Sequence, residues 1–311
     1  MTGLLARRFI AVAGKGGTGR TTLSFALARL AARQGRRVLL CLASPGSRHG
    51  QLPGLPGTPG VIAHQGGGLH VLEMDPMAAM DEYGRMMLKS RTLHRLVFAN
   101  RHVRHFLDAV PGLSEWAVLG KATWHMLDRT PAAQRFDTVV FDSPATGHGL
   151  DMLRLPAAIV RSVPAGRMRE EAKERLALLQ DPATTAIIPV TIPEEGPVNE
   201  ALELLFALQA ARLPVPLLVV NRIIAPPPDV AFDFTGPAPE WARPLLVQRM
   251  RWRLQEDSLA RLKNIGLPVL PISELESEGG SVQTFEGVTA ALSLALGGAQ
   301  ASQARGVQAR S

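Results

Sequence analysis

The chain has 311 residues, 46% of them hydrophobic and 20% charged, with a formal net charge of +7. Those are globular values, and the length allows one large domain or two small ones, each with a full core. No run approaches the ~18 apolar residues of a membrane-spanning helix, and the single cysteine, Cys41, excludes an internal disulfide framework and fits a reducing cytoplasm.

Arg7 and Arg8 precede a short apolar run, an arrangement that mimics a signal peptide. The run is too short and leads straight into a glycine-rich loop, so it reads as a first strand over 9–13. The loop is Gly14-Lys15-Gly16-Gly17-Thr18-Gly19-Arg20-Thr21-Thr22. It fits the phosphate-binding pattern G-x-x-x-x-G-K-[ST] at Gly14, Gly19 and Thr21, with Arg20 where the lysine belongs. A helical pattern follows from Thr21 to Arg33. In such a strand–loop–helix unit, glycines let backbone N–H groups turn inward around phosphates, and the helix N-terminus adds partial positive charge. The unit predicts nucleotide binding, with the Thr21 hydroxyl as a Mg²⁺ ligand. Arginine keeps the charge of lysine but is longer, planar and forked, so phosphate contacts at position 20 take a different geometry.

Further along, 37–43 reads as a buried parallel strand. The stretch 45–68, rich in Pro and Gly, reads as a long loop. A strand is predicted over 69–74, and the segment from 75 to about 129 is largely helical. Thr138–Phe141 is a strand that ends at Asp142, where a carboxylate could hold Mg²⁺ directly or through water. Strands are predicted over 185–191, 217–221 and 269–272, and helices over 167–179, 198–212, 258–263 and 288–296. Ala225–Pro239 is a Pro-rich loop. Strands alternating with helices predict an α/β fold, a doubly wound and mostly parallel sheet. The expected organisation is a single P-loop domain over 1–296 with a helical insertion at about 76–130, then a small, polar tail over 297–311.

The insertion carries a basic run, Arg91, His94, Arg95, Arg101, His102, Arg104 and His105, that suits either a solvated face or an anionic partner. Met74, Met77, Met80, Met86, Met87 and Met126 suit either the insertion's own core or a groove for a hydrophobic client. Nucleic acid is not a favoured partner, because the basic residues lack interleaved aromatic platforms.

Two motifs together resemble one family. Lys15 and the order K-G-G-x-G-[KR]-T resemble the deviant phosphate loop of the arsenite-pump and tail-anchored-protein targeting ATPases, and of their partition and division-positioning cousins. Asp142-Ser143-Pro144-Ala145-Thr146-Gly147-His148, followed by Leu153-Arg154-Leu155-Pro156, resembles the D-T-A-P-T-G-H…L-x-L-P signature of the first two, with Ala and Pro interchanged. Glu73-Met74-Asp75-Pro76…Glu82-Tyr83, Pro111-Gly112-Leu113-Ser114-Glu115, Ile192-Pro193-Glu194 and Val219-Val220-Asn221 look like further segments of that family. The resemblance spans about residues 7–296. It implies ATP and Mg²⁺ as ligands, a P-loop fold with a helical insertion, and a dimer. It also implies that Lys15 reaches the partner's nucleotide and that Asn221 reads the adenine.

The chain departs from the family at two catalytic positions. Besides Arg20, Ser44 stands where the family carries an aspartate that positions or activates the attacking water. A serine hydroxyl is a far weaker base than a carboxylate, and loss of a general base costs ~10²–10⁴-fold in rate. The expectation is a cytoplasmic ATP-binding subunit with weak or lost hydrolysis, working as a homodimer or beside an intact paralogue. The alternatives are an active ATPase serving a membrane-protein client or transport partner, and a non-enzymatic scaffold locked by nucleotide. With one buried-strand cysteine, soft-ligand arsenic binding is not expected.

Overall fold

Along β1 (Phe9–Gly14) the side chains alternate between two cores: Phe9, Ala11 and Ala13 enter one, Ile10 and Val12 the other. A period of two with apolar residues on both faces requires cover on both faces, which is the condition of a doubly wound sheet. The structure, a computed structural model, describes residues 3–43, 59–88, 90, 92, 100, 110–127, 136–228, 240–275 and 285–297. Ser44, every basic residue of the run from Arg91 to His105, 229–239 of the Pro-rich loop and 298–311 of the tail lie outside them.

The remaining strands are β2 (Val38–Leu42), β3 (Ile62–Gly66), β4 (Leu69–Glu73), β5 (Thr138–Asp142), β6 (Thr185–Thr191), β7 (Leu218–Ile223) and β8 (Val269–Ser273). With β1 they form one sheet among the described residues, in the order β3-β4-β2-β5-β1-β6-β7-β8. The pairings are parallel except for β3 against β4. The helices are α1 (Arg20–Arg33), α2 (Pro76–Leu88), α3 (Leu113–Leu127), α4 (Thr146–Ser162), α5 (Arg167–Gln180), α6 (Glu195–Ala210), α7 (Arg243–Leu262) and α8 over 285–297.

Helices α1 and α8 cover one face, through Leu23, Leu27, Ala31, Val288 and Leu292. Helices α2 to α6 cover the other, where Met80, Leu119, Met152, Leu179 and Leu204 share one core with Leu39, Phe141 and Ile187. So α2 and α3, which fall within the expected insertion, share a core with the sheet. Met74, Met80 and Met126 are buried there, whereas Met86 is exposed. Cys41 is a buried thiol of the same core.

Two expectations are corrected, and one helix joins those expected. The stretch 45–68 is not all loop, because Ile62–Gly66 forms an antiparallel edge strand on β4. The turn between them runs through Gly66, Gly67 and Gly68, all with positive φ, as glycine allows at little cost. The helix expected over 258–263 is the last part of a 20-residue helix, α7. The signature after Asp142 opens α4, which runs 17 residues and contains Pro156 in its interior.

Candidate functional site

Parallel strands bring their carboxyl ends to one edge, and ligands of open α/β sheets bind there, where the strand order reverses. Gly14 ends β1, Asp142 ends β5, and Asn221 lies near the end of β7. The glycine loop joins β1 to α1, whose N-cap is Gly19 in the left-handed conformation, φ 92°. A Cβ on Gly19 would collide with the Asn221 amide, and one on Gly14 with the Val190 carbonyl. Gly16 and Gly17 have open space in the same direction. The loop is therefore closely seated on β6 and β7 at its ends and open at its crest.

Polar contacts hold that seat. The Asn221 amide Nδ2 donates to the Thr18 carbonyl at 2.9 Å. Thr18, nearly fully buried, donates its hydroxyl to the Lys15 carbonyl at 2.9 Å. Here Asn221 serves the loop backbone, and its neighbour Arg222 takes a left-handed φ of 59°, a rare state for a side-chain-bearing residue. Past Arg222, a cleft of about 610 Å³ opens between the ends of β6 and β7 and helix α7, lined by Ile192, Pro193, Arg222, Leu254, Gln255 and Glu274 among others.

At the other side of the loop, the Thr21 hydroxyl donates to Asp142 Oδ2 at 2.6 Å, and the Ser24 hydroxyl to Asp142 Oδ1 at 3.3 Å. Asp142 is almost wholly buried. A hydroxyl and a carboxylate are the hard oxygen donors that Mg²⁺ takes, so this pair fits that ion.

Arg20 lies between these parts. Its Nε donates to the Lys15 carbonyl at 3.3 Å, and its Nη1 donates to the Ser143 carbonyl. The guanidinium thereby links the phosphate loop to the segment that follows β5. Burial pulls its pKa below the ordinary value, and the charge of Asp142 offsets part of that pull. Lys15 forms an ion pair with Glu200 on α6, with both side chains more than a third exposed (44% and 36%). The structure thus brings Gly14 to Thr22, Asp142 and Asn221 into one site. Position 44 lies outside the described residues.

Residues 7–164 match the family model of the anion-transporting ATPases. The chain belongs to that family. Among its relatives, ATPase BagA of Mycobacterium tuberculosis is 32% identical over 220 residues, 68% of this chain and 64% of that protein. An arsenical pump-driving ATPase of Escherichia coli is 30% identical over 251 residues, 74% of this chain and 41% of that protein. ATPase GET3C of Arabidopsis thaliana is 26% identical over 265 residues, 70% of this chain and 67% of that protein. The chain therefore spans less than two thirds of BagA and under half of the pump-driving protein. Members of that family bind nucleotide, and this edge of the sheet is the candidate place for it. Two of its contacts were not foreseen. Glu200 and Ser143 meet Lys15 and Arg20 across 185 and 123 residues of chain, a separation that carries no local pattern. Among the described residues, no helix is long and apolar enough to cross a membrane.

Proposed function

We propose that this anion-transporting ATPase homologue binds ATP with Mg²⁺ and hydrolyses it slowly or not at all, as one subunit of a dimer with itself or with an intact paralogue. The observation that carries this reading is the position of Arg20. Its guanidinium is engaged by two protein carbonyls, Lys15 and Ser143, where a lysine ammonium would be a compact charge for the phosphates. Ser44 replaces the carboxylate expected to position water, which points the same way.

Binding needs less than hydrolysis does. The loop glycines and the α1 N-terminus supply N–H donors, and Thr21 with Asp142 would hold Mg²⁺, which neutralises phosphate charge when bound. The cleft past Arg222 has room for a base and sugar. Lys15, paired only at the surface with Glu200, is available to reach a partner's nucleotide once that pair opens. The client or transported species of a relative is not carried over to this chain.

The test is a calorimetric titration of the full chain with ATP, with and without Mg²⁺, beside Thr21→Ala. Binding that Mg²⁺ strengthens in the wild type but not in the variant supports the reading. No binding, or binding indifferent to Mg²⁺ and to Thr21, overturns it.

A further inference from the structure

Gln255, on the second half of α7, is only 3% exposed. A glutamine is seldom that buried unless its amide is matched. One residue matches it twice. The Ile224 N–H donates to Gln255 Oε1 at 2.8 Å, and Gln255 Nε2 donates to the Ile224 carbonyl at 3.0 Å. Ile224 is the first residue past β7. There the strand pairing has ended, and the α7 side chain takes up the backbone groups in its place.

This clamp sits where α7 has little else to hold it. The buried residues of α7 are Gln255, Ser258 and Leu262. From Arg243 to Leu254 no side chain is buried, and Val247, Met250 and Leu254 form an exposed stripe. Leu262 joins the core that α6 and β7 share, about 10 Å further along the helix at 1.5 Å per residue. The exposed contacts of Arg251 with Glu274 at 3.5 Å and of Arg249 with the Pro228 carbonyl at 3.4 Å add little. The two amide bonds of Gln255 therefore fix how far α7 stands from the end of β7.

That separation is the width of the cleft past Arg222. Ile192 and Ile224 line it from the strand ends, Leu254 and Ser258 from α7, and Gln255 joins the two sides. Its charged lining is near balance, four carboxylates against three arginines, which suits an uncharged base and sugar better than phosphates. Both polar atoms of Gln255 are engaged by Ile224, so this side chain does not itself read a base.

We propose that Gln255 is a positioning residue of the nucleotide site, holding α7 at the distance that makes this cleft a slot for the base and sugar. The proposal rests on the reading that the chain binds ATP with its nucleoside in the cleft.

Calorimetric titration of the full chain with Mg·ATP and with Mg·tripolyphosphate tests it, in the wild type and in Gln255→Met, a variant of similar volume with no amide. The wild type binds ATP roughly tenfold or more tighter than tripolyphosphate. Gln255→Met weakens ATP binding about tenfold and leaves tripolyphosphate binding unchanged. The variant unfolds at a lower temperature, but a smaller folded fraction weakens both ligands by the same factor, so the ratio of the two affinities reports the slot alone. An unchanged ratio, whether both affinities fall or neither does, overturns the proposal and leaves ATP binding standing. A wild type that binds both ligands equally overturns the proposal and the place given to the nucleoside, and keeps the phosphate loop as the binding element. A wild type that binds neither overturns the nucleotide reading itself, and this role with it.

Discussion

The Thr21 hydroxyl rests 2.6 Å from Asp142 Oδ2. That contact ties the first turn of α1 to the end of β5 across 121 residues, and it sets two hard oxygen donors side by side. Ser24, one turn further along α1, bonds the other carboxylate oxygen. Asp142 also lies close enough to Arg20 to oppose the effect of burial on its pKa. One buried carboxylate thus serves the helix, the candidate metal position and the substituted arginine.

Asp142→Ala leaves Arg20 partly buried without its balancing charge. Removing one partner of a buried charge set costs about 3–5 kcal/mol; the Arg20 contacts to two carbonyls keep the loss at the lower end, about 3 kcal/mol. Arg20→Ala in the same background restores part of it, because coupled sites are not additive. Denaturant unfolding of the two singles and the double variant checks this; strict additivity would contradict it.

Gly19→Ala places a Cβ at φ 92° and against the Asn221 amide. The left-handed backbone costs about 1–2 kcal/mol for a residue with a Cβ, and the collision displaces the Asn221 contact to Thr18. The variant unfolds earlier and loses ATP affinity at least tenfold. Gly16→Ala, with open space around it, changes stability by less than about 1 kcal/mol.

Glu200→Ala removes the ion pair with Lys15. Both side chains are well exposed, and pairs of that kind contribute about 0–1 kcal/mol. Thermal unfolding of the variant therefore matches the wild type closely. A large drop would show that Glu200 bears on the fold and not only on Lys15.

Burial pushes the Cys41 thiol well above its ordinary value of 9.0, and burial also raises the Tyr83 phenol above 10.0. In the unfolded chain these groups ionise at their ordinary values, so above about pH 9 the unfolded state releases protons that the folded state keeps. Stability is full below that pH and falls as pH rises through 9 and 10. Cys41→Ala flattens the first part of the fall, as denaturant midpoints across pH 8–11 would show. A thiol reagent at neutral pH labels Cys41 only once the chain is unfolded.

Much of this was legible because parallel strands are continuous apolar runs and the glycine loop has fixed spacing. Phe9–Ala13, Val38–Leu42 and Thr138–Phe141 stand out on hydrophobicity alone, and Asp142 stands out as the charge that ends one of them. The edge strand at Ile62–Gly66 was hidden because His64 and Gln65 break its apolar character, as an edge strand with half-exposed residues permits. Helix α4 was hidden by Pro156, which removes one backbone donor but which the surrounding packing tolerates. Most of α7 was hidden because arginines interrupt its apolar residues, and its exposed stripe has no core to impose a single-sided pattern. The contacts of Arg20 and Lys15 depend on tertiary approach and have no signature in the chain.

The central claim is that ATP is held without efficient turnover. Phosphate release from Mg·ATP by the purified chain tests it most directly, with Arg20→Lys combined with Ser44→Asp as the comparison. Release near background for the wild type, rising at least ~10²-fold in the double variant, is the predicted result. Release by the wild type at an ordinary ATPase rate, abolished by Arg20→Ala, would contradict the account and make Arg20 a working catalytic residue.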